Sequence, residues 1–146
     1  MSMIDPLEAM VKWLERDLTC VNGRVAGKHR YGIPANKTLV SAWQPDQVCV
    51  VVRLDDGSPE LYGPIGIHRF EVRILNETRS PIFDTWRELI TLSRASKRFE
   101  VVTSLGNVLM YYVAQSSGFS VIRDADLKLE VGLVFFNALI AEEVIV

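Results

Sequence analysis

The order of patterns along the chain predicts an α+β fold, an antiparallel or mixed sheet with two amphipathic helices packed on one face. Two segments place apolar residues at helical spacing behind a capping signature. Several others alternate apolar and polar residues with a period of two. No internal repeat or low-complexity tract divides them, so residues 1–146 read as a single domain.

The first helix opens at Asp5-Pro6-Leu7-Glu8. Asp5 can accept orphan amides, Pro6 suits the first helical position, and Glu8 completes a capping box. Leu7, Met10, Val11, Leu14 and Leu18 then share one face, with Glu8, Lys12, Glu15 and Arg16 opposite, and Asn22-Gly23 supplies a stop. Residues 23–46 are punctuated by Gly23, Gly27, Gly32, Pro34 and Pro45 and read mostly as loop, with a short strand over Thr38 to Trp43. Gln47 to Leu54, built around Val-Cys-Val-Val-Val, reads as a strand. Ile67 to Leu75 alternates His68, Phe70, Val72 and Ile74 with Arg69, Glu71 and Arg73 and should pair with it as an antiparallel hairpin. Between them, Asp55 to Gly66 makes a connection longer than a hairpin needs.

Ser80-Pro81 repeats the helix-start signature. Ile82, Phe83, Trp86, Leu89 and Ile90 form the apolar stripe of a helix running to about Ser96, with Lys97 and Arg98 suited to its negative end. Val108 to Ala114 and Phe119 to Arg123 follow as strands, and Leu127 to Phe135 as a longer one with a buried face. The final Ala138 to Val146 stays apolar apart from Glu142 and Glu143.

Composition narrows the function. Sixteen basic and 18 acidic side chains give a formal net charge of −2, without a run of either sign. That is not the footprint of a protein that grips DNA. Hydrophobic residues at 49% and charged residues at 23% are globular proportions. Cys20 and Cys49 read as two buried free thiols. The opening residues lack the form of a signal peptide, and the longest apolar run, Val131 to Ala141, is too short to span a bilayer. A cytosolic product without a membrane anchor is the expectation.

Chemistry-bearing patterns are sparse. His29 and His68 stand far apart, and His68, on an apolar strand face, reads as structural. There is no G-x-S-x-G, and a Cys–His dyad from Cys20 or Cys49 with His29 has little to orient it. Gly63-Pro64-Ile65-Gly66 leads into a strand, and Pro64 lacks the amide a phosphate cradle needs. Asp55, Asp56 and Glu60 lack calcium-loop spacing. The expectation is a non-enzyme, with no catalytic, cofactor-binding or metal-ligating residue and no cofactor.

Three features point instead to protein contacts. Arg69, Glu71 and Arg73 make a charged stripe on the outward face of their strand, either a solvated face or a complement to a neighbour. Leu61, Tyr62 and Ile65 are apolar residues in the long connection. Leu139, Ile140, Val144 and Ile145 make the chain end apolar, which suggests docking onto the same core or onto another subunit. Because Tyr111 and Tyr112 are adjacent on a strand, one of them is a candidate surface aromatic.

Taken in order, five segments resemble the tail-terminator, or tail-completion, proteins of tailed bacteriophages. They are the opening helix with Asn22-Gly23-Arg24-Val25, the strand Val48 to Leu54, the segment Gly63 to Ile74, the helix from Ser80-Pro81 to Arg94, and the late strand Leu127 to Phe135. Phe99 to Gly106 departs from that pattern, and the apolar stretch beyond Phe136 is longer than usual. The resemblance implies a virion protein of the tail or neck, assembled in the host cytoplasm. Copies form a homo-oligomeric ring, usually a hexamer, that caps the tail tube and meets the head connector or stopper protein. Genomic DNA then passes through the channel without specific binding. A head-completion or stopper protein is the neighbouring alternative, and a small α+β ligand-binding domain or enzyme is the alternative of another class.

Overall fold

The computed structural model describes residues 4–18, 25–26, 48–59, 65–95, 97–126 and 128–145. The elements run α1 (Pro6–Asp17), β1 (Val25–Ala26), β2 (Cys49–Pro59), β3 (Ile65–Asn76), α2 (Arg79–Ala95), β4 (Phe99–Thr103), β5 (Gly106–Gln115), β6 (Ser120–Asp124) and β7 (Leu129–Ala141). The α+β class holds. The strands form one sheet in the order β1-β2-β3-β7-β5-β4, with β6 also paired to β7. All pairings are antiparallel except β1 with β2, so the sheet is mixed.

Asp5 caps α1 as its sequence demands: its Oδ1 accepts from the Leu7 and Glu8 amides at 3.1 and 3.2 Å. Glu8 does not close a capping box. Its carboxylate instead accepts from the Ser104 amide at 2.5 Å and the Ser104 hydroxyl at 2.7 Å, tying α1 to the turn between β4 and β5. The helix stops at Leu18, before Asn22-Gly23, which lies outside the described residues, as do Thr38 to Trp43 and Cys20. Ahead of α2, Asn76 Oδ1 accepts from the Thr78 amide at 3.0 Å, and the helix extends to Ala95, as its periodicity predicts.

One face of the sheet carries the core. Val50 and Val52 on β2, Phe70, Val72 and Ile74 on β3, Val134, Phe136, Ala138 and Ile140 on β7, and Val108 and Met110 on β5 pack with Met10, Leu14, Ile82 and Leu89 of the two helices. Burying each of these side chains other than Ala138 contributes on the order of 1.5–3 kcal/mol. α2 lies on β3, β5 and β7, in the middle of the sheet. α1 touches both β2 and β4, which stand near opposite ends of the strand order. A single helix can do this only if the sheet curls around it. Trp13 packs on Phe99 with centroids 5.6 Å apart, and Arg16 Nη1 donates to the Glu100 carbonyl at 2.7 Å, closing that edge.

Two expectations are corrected, the long connection and the end of the late strand, and Phe99 to Gly106 takes a definite structure. The connection Asp55 to Gly66 is mostly strand: β2 runs to Pro59 and β3 starts at Ile65, with Pro59 opposite Gly66 and a bulge between Leu54 and Asp56. Phe99 to Gly106 is a strand and a tight turn. Gly106 takes φ 133°, a conformation that suits glycine. The late strand runs past Phe135 to Ala141, so Leu139 and Ile140 belong to the sheet and not to the segment that follows it. Beyond it the chain docks on its own body: the Ile145 amide donates to the Asn107 carbonyl at 2.8 Å, and Val144 packs against the core.

Candidate functional site

The face of the sheet opposite the helices carries the predicted charged stripe. Strand alternation sends Arg69, Glu71 and Arg73 there, and the register sets Glu71 opposite Arg53 on β2 and Phe135 on β7. The bulge after Leu54 leaves Asp55 between two cations. The result is a ladder of alternating sign. Arg69 Nε lies 3.6 Å from Asp55 Oδ2, and Arg53 Nη2 lies 3.3 Å from Asp55 Oδ1 and 3.8 Å from Glu71 Oε2. Arg73 Nε donates to Glu71 Oε1 at 2.5 Å. The Arg69 guanidinium also sits 4.3 Å from the Phe135 ring centroid, a cation–π distance.

This corrects the picture of a solvated stripe. Glu71 is 7% exposed and is the buried centre of an intramolecular network. Of the three stripe residues only Arg69 is freely exposed. Sequence pattern alone does not assign Arg53, Asp55 and Phe135 to the ladder they complete. Cross-strand pairing is the missing signal, because the register of Arg53 against Glu71 depends on where the hairpin turns.

Around the ladder the face is apolar. A row of Ile67, Leu139 and Tyr112 crosses β3, β7 and β5, and a second of Leu75, Val131 and Ile122 crosses β3, β7 and β6. Leu75 and Val131 are buried with Cys49, Val51 and Leu129, whereas Tyr112 and Ile122 are 40% and 55% exposed. Tyr112, not Tyr111, is therefore the surface aromatic. Leu139 is half-buried on this face and Ile145 is 40% exposed. Ile140 is the correction here: it points to the helices, fully buried, and belongs to the core. Val144 is half-buried against Gly106. Leu61 and Tyr62 lie outside the described residues, and Ile65 is described only as the start of β3, opposite Ala141.

His68 projects to the helix side, its Nε2 3.9 Å from Glu142 Oε1 and without a hydrogen-bond partner among the described residues. Burial lowers its pKa, against a smaller raising effect of Glu142. Gly66 permits this approach, because a Cβ there would collide with Glu142 Oε1. Among the described residues, no cluster of three or more His, Cys, Asp or Glu side chains is placed to hold a metal ion. No helix among them is long and apolar enough to cross a membrane. The helix-free face is patterned in charge and framed by apolar rows.

No protein family's sequence profile matches the chain, and no curated protein sequence is similar to it. Among solved structures, the chain is similar to one in the virion of a native gene transfer agent particle. The two share 13% identity, superpose with a TM-score of 0.52, and are each covered over 95% of their length. At that identity the likeness is one of fold.

Proposed function

We propose that the chain is a structural virion protein, and specifically a tail terminator. In this reading copies form a six-membered ring that caps the tail tube and meets the head connector. The carrying observation is the fold shared over 95% of both lengths with a chain of a gene transfer agent virion. The patterned helix-free face supports it, because head-to-tail contacts through such surfaces close rings when the rotation allows. The charge ladder sets register between neighbours more than affinity.

The dimensions agree. A domain of this length has a radius of gyration of about 15 Å and is roughly 38 Å across as a sphere. Six touching spheres leave a hole about one sphere wide, so DNA passes without being gripped, which suits a net charge of −2. Negative-stain imaging beside a mass measurement tests the reading: six copies give a ring roughly 100–120 Å across by the packed-sphere estimate. Arg69→Glu, at the exposed end of the ladder, should abolish rings and capping of purified tails while the chain stays folded. A protein that remains solitary when mixed with tail and connector components would rule the proposal out, and intact rings in Arg69→Glu would remove the ladder from the contact.

A further inference from the structure

Among the described residues, part of β5 forms an uncharged edge of the sheet, whereas β2, which has no β1 partner beyond Val51, carries Arg53 and Asp55 along its open side. β4 pairs with β5 only from Gly106 to Met110, while β5 continues to Gln115. From Tyr111 to Gln115, β5 therefore has a strand on its β7 side alone among the described residues. On β4 the Glu100 carbonyl is taken by Arg16 of α1, Glu8 holds Ser104 in the turn that follows, and β6 ends in the charged pair Arg123-Asp124. Tyr111-Tyr112-Val113-Ala114-Gln115 carries no charge and no proline, two of the devices that keep an open edge from pairing, and its one irregularity is a bulge at its start, between Met110 and Tyr112. Tyr112 and Ala114 are exposed on the helix-free face of this stretch.

Beside the edge runs a groove of about 400 Å³, lined by Trp86, Arg87, Ile90, Thr91, Arg94 and Gln115. Gln115 is common to edge and groove. Arg87 meets Asp84 at 3.3 Å, but the two side chains are 70% and 65% exposed. Such an exposed pair is readily exchanged. Arg94 has no carboxylate partner among the described residues.

We propose that this edge and the α2 flank beside it take an extended acidic segment of a partner protein as an added strand. Main-chain hydrogen bonds to Tyr111–Gln115 would hold the segment. Its inward side chains, roughly 7 Å apart at alternate positions, would fall along α2. Small apolar groups would rest on Ile90 and Trp86, and carboxylates would pair with Arg87 and Arg94. The two arginines choose acid over base, and a backbone edge without a strand partner among the described residues chooses polypeptide over nucleic acid. The proposal does not depend on ring formation, which is tested separately by imaging.

The test uses an eight-residue peptide alternating Glu with Val and Thr, its Lys counterpart, and oligodeoxythymidine, each titrated into the nitrogen-15-labelled full chain. The Glu peptide should bind, shift resonances along Arg87–Arg94, and slow amide exchange at Tyr111–Gln115. Arg87→Glu with Arg94→Glu, a surface change whose folding is checked by circular dichroism, should weaken binding at least tenfold. Failure of the Glu peptide to bind at millimolar concentration would overturn the proposal. So would equal binding of the Lys peptide, protection elsewhere than this edge, or unchanged affinity in the double variant. Displacement of the peptide by oligodeoxythymidine, or the same edge already protected by self-association without peptide, would also overturn it.

Discussion

Glu71→Gln is the sharpest probe of the helix-free face. The substitution keeps the shape of the side chain and removes the charge that Arg73 and Arg53 share, at 2.5 and 3.8 Å. A hydrogen bond to a charged group is worth about 1.5–3 kcal/mol. The side chains of Arg73 and Arg53 are 29% and 32% exposed. Water therefore recovers part of that loss, and the expected cost is ~1–2 kcal/mol. With a urea dependence of about 2 kcal/mol per molar, the unfolding midpoint should fall by roughly 0.5–1 M. Arg73→Met in the same background should add less than it does alone, because its partner is already gone. The difference between native and Glu71→Gln protein should also shrink as salt rises. A midpoint shift under ~0.2 M, or strict additivity with Arg73→Met, would refute the ladder as an intramolecular device.

Other outcomes follow from single contacts. A Cβ at Gly132 would stand 2.6 Å from Ile82 Cγ2 and 2.8 Å from Phe119 Cε2. Gly132→Ala should therefore cost ~1–3 kcal/mol in chemical denaturation. Ile82→Ala should be less damaging in that background than in the native chain. Asp5→Ala removes the cap of α1. It should lose ~0.5–2 kcal/mol, read as a lower thermal midpoint. His68, its pKa lowered by burial, binds its proton more weakly folded than unfolded. It therefore stabilises the fold above its ordinary value of 6.5 and loses that contribution as pH falls through the window below. His68→Gln should flatten the decline in stability as pH falls below 6.5.

Much of the fold is legible in the sequence because local physics and tertiary packing agree. Asp5 and the apolar face of α1 serve the helix in isolation and in the core alike, and the alternation from Ile67 to Leu75 assigns the correct residues to each face of β3. Where a residue answers to a distant strand, local pattern misleads. Glu8 reads as a capping-box partner, but the turn at Ser104 claims it. Glu71 reads as solvated because its alternate neighbours are arginines, yet Arg53 and Phe135 across the sheet set its burial. Phe99 to Thr103 lacks a strong period and becomes a strand because β5 and α1 offer it an edge. The open stretch of β5 has no signature at all, since edges are a property of strand order.

β7 is the one strand on which both halves of the sheet converge: β3 lines one side of it, while β5 and β6 share the other. The β2–β3 and β4–β5 hairpins can each zip up from neighbouring residues. They become one surface only when β7 threads between them. Folding must then wait on a far-reaching closure, and the traffic of contacts through this strand makes it the bottleneck. Lesions in β7 should accordingly slow folding, whereas those at the rim of α1 should chiefly hasten unfolding.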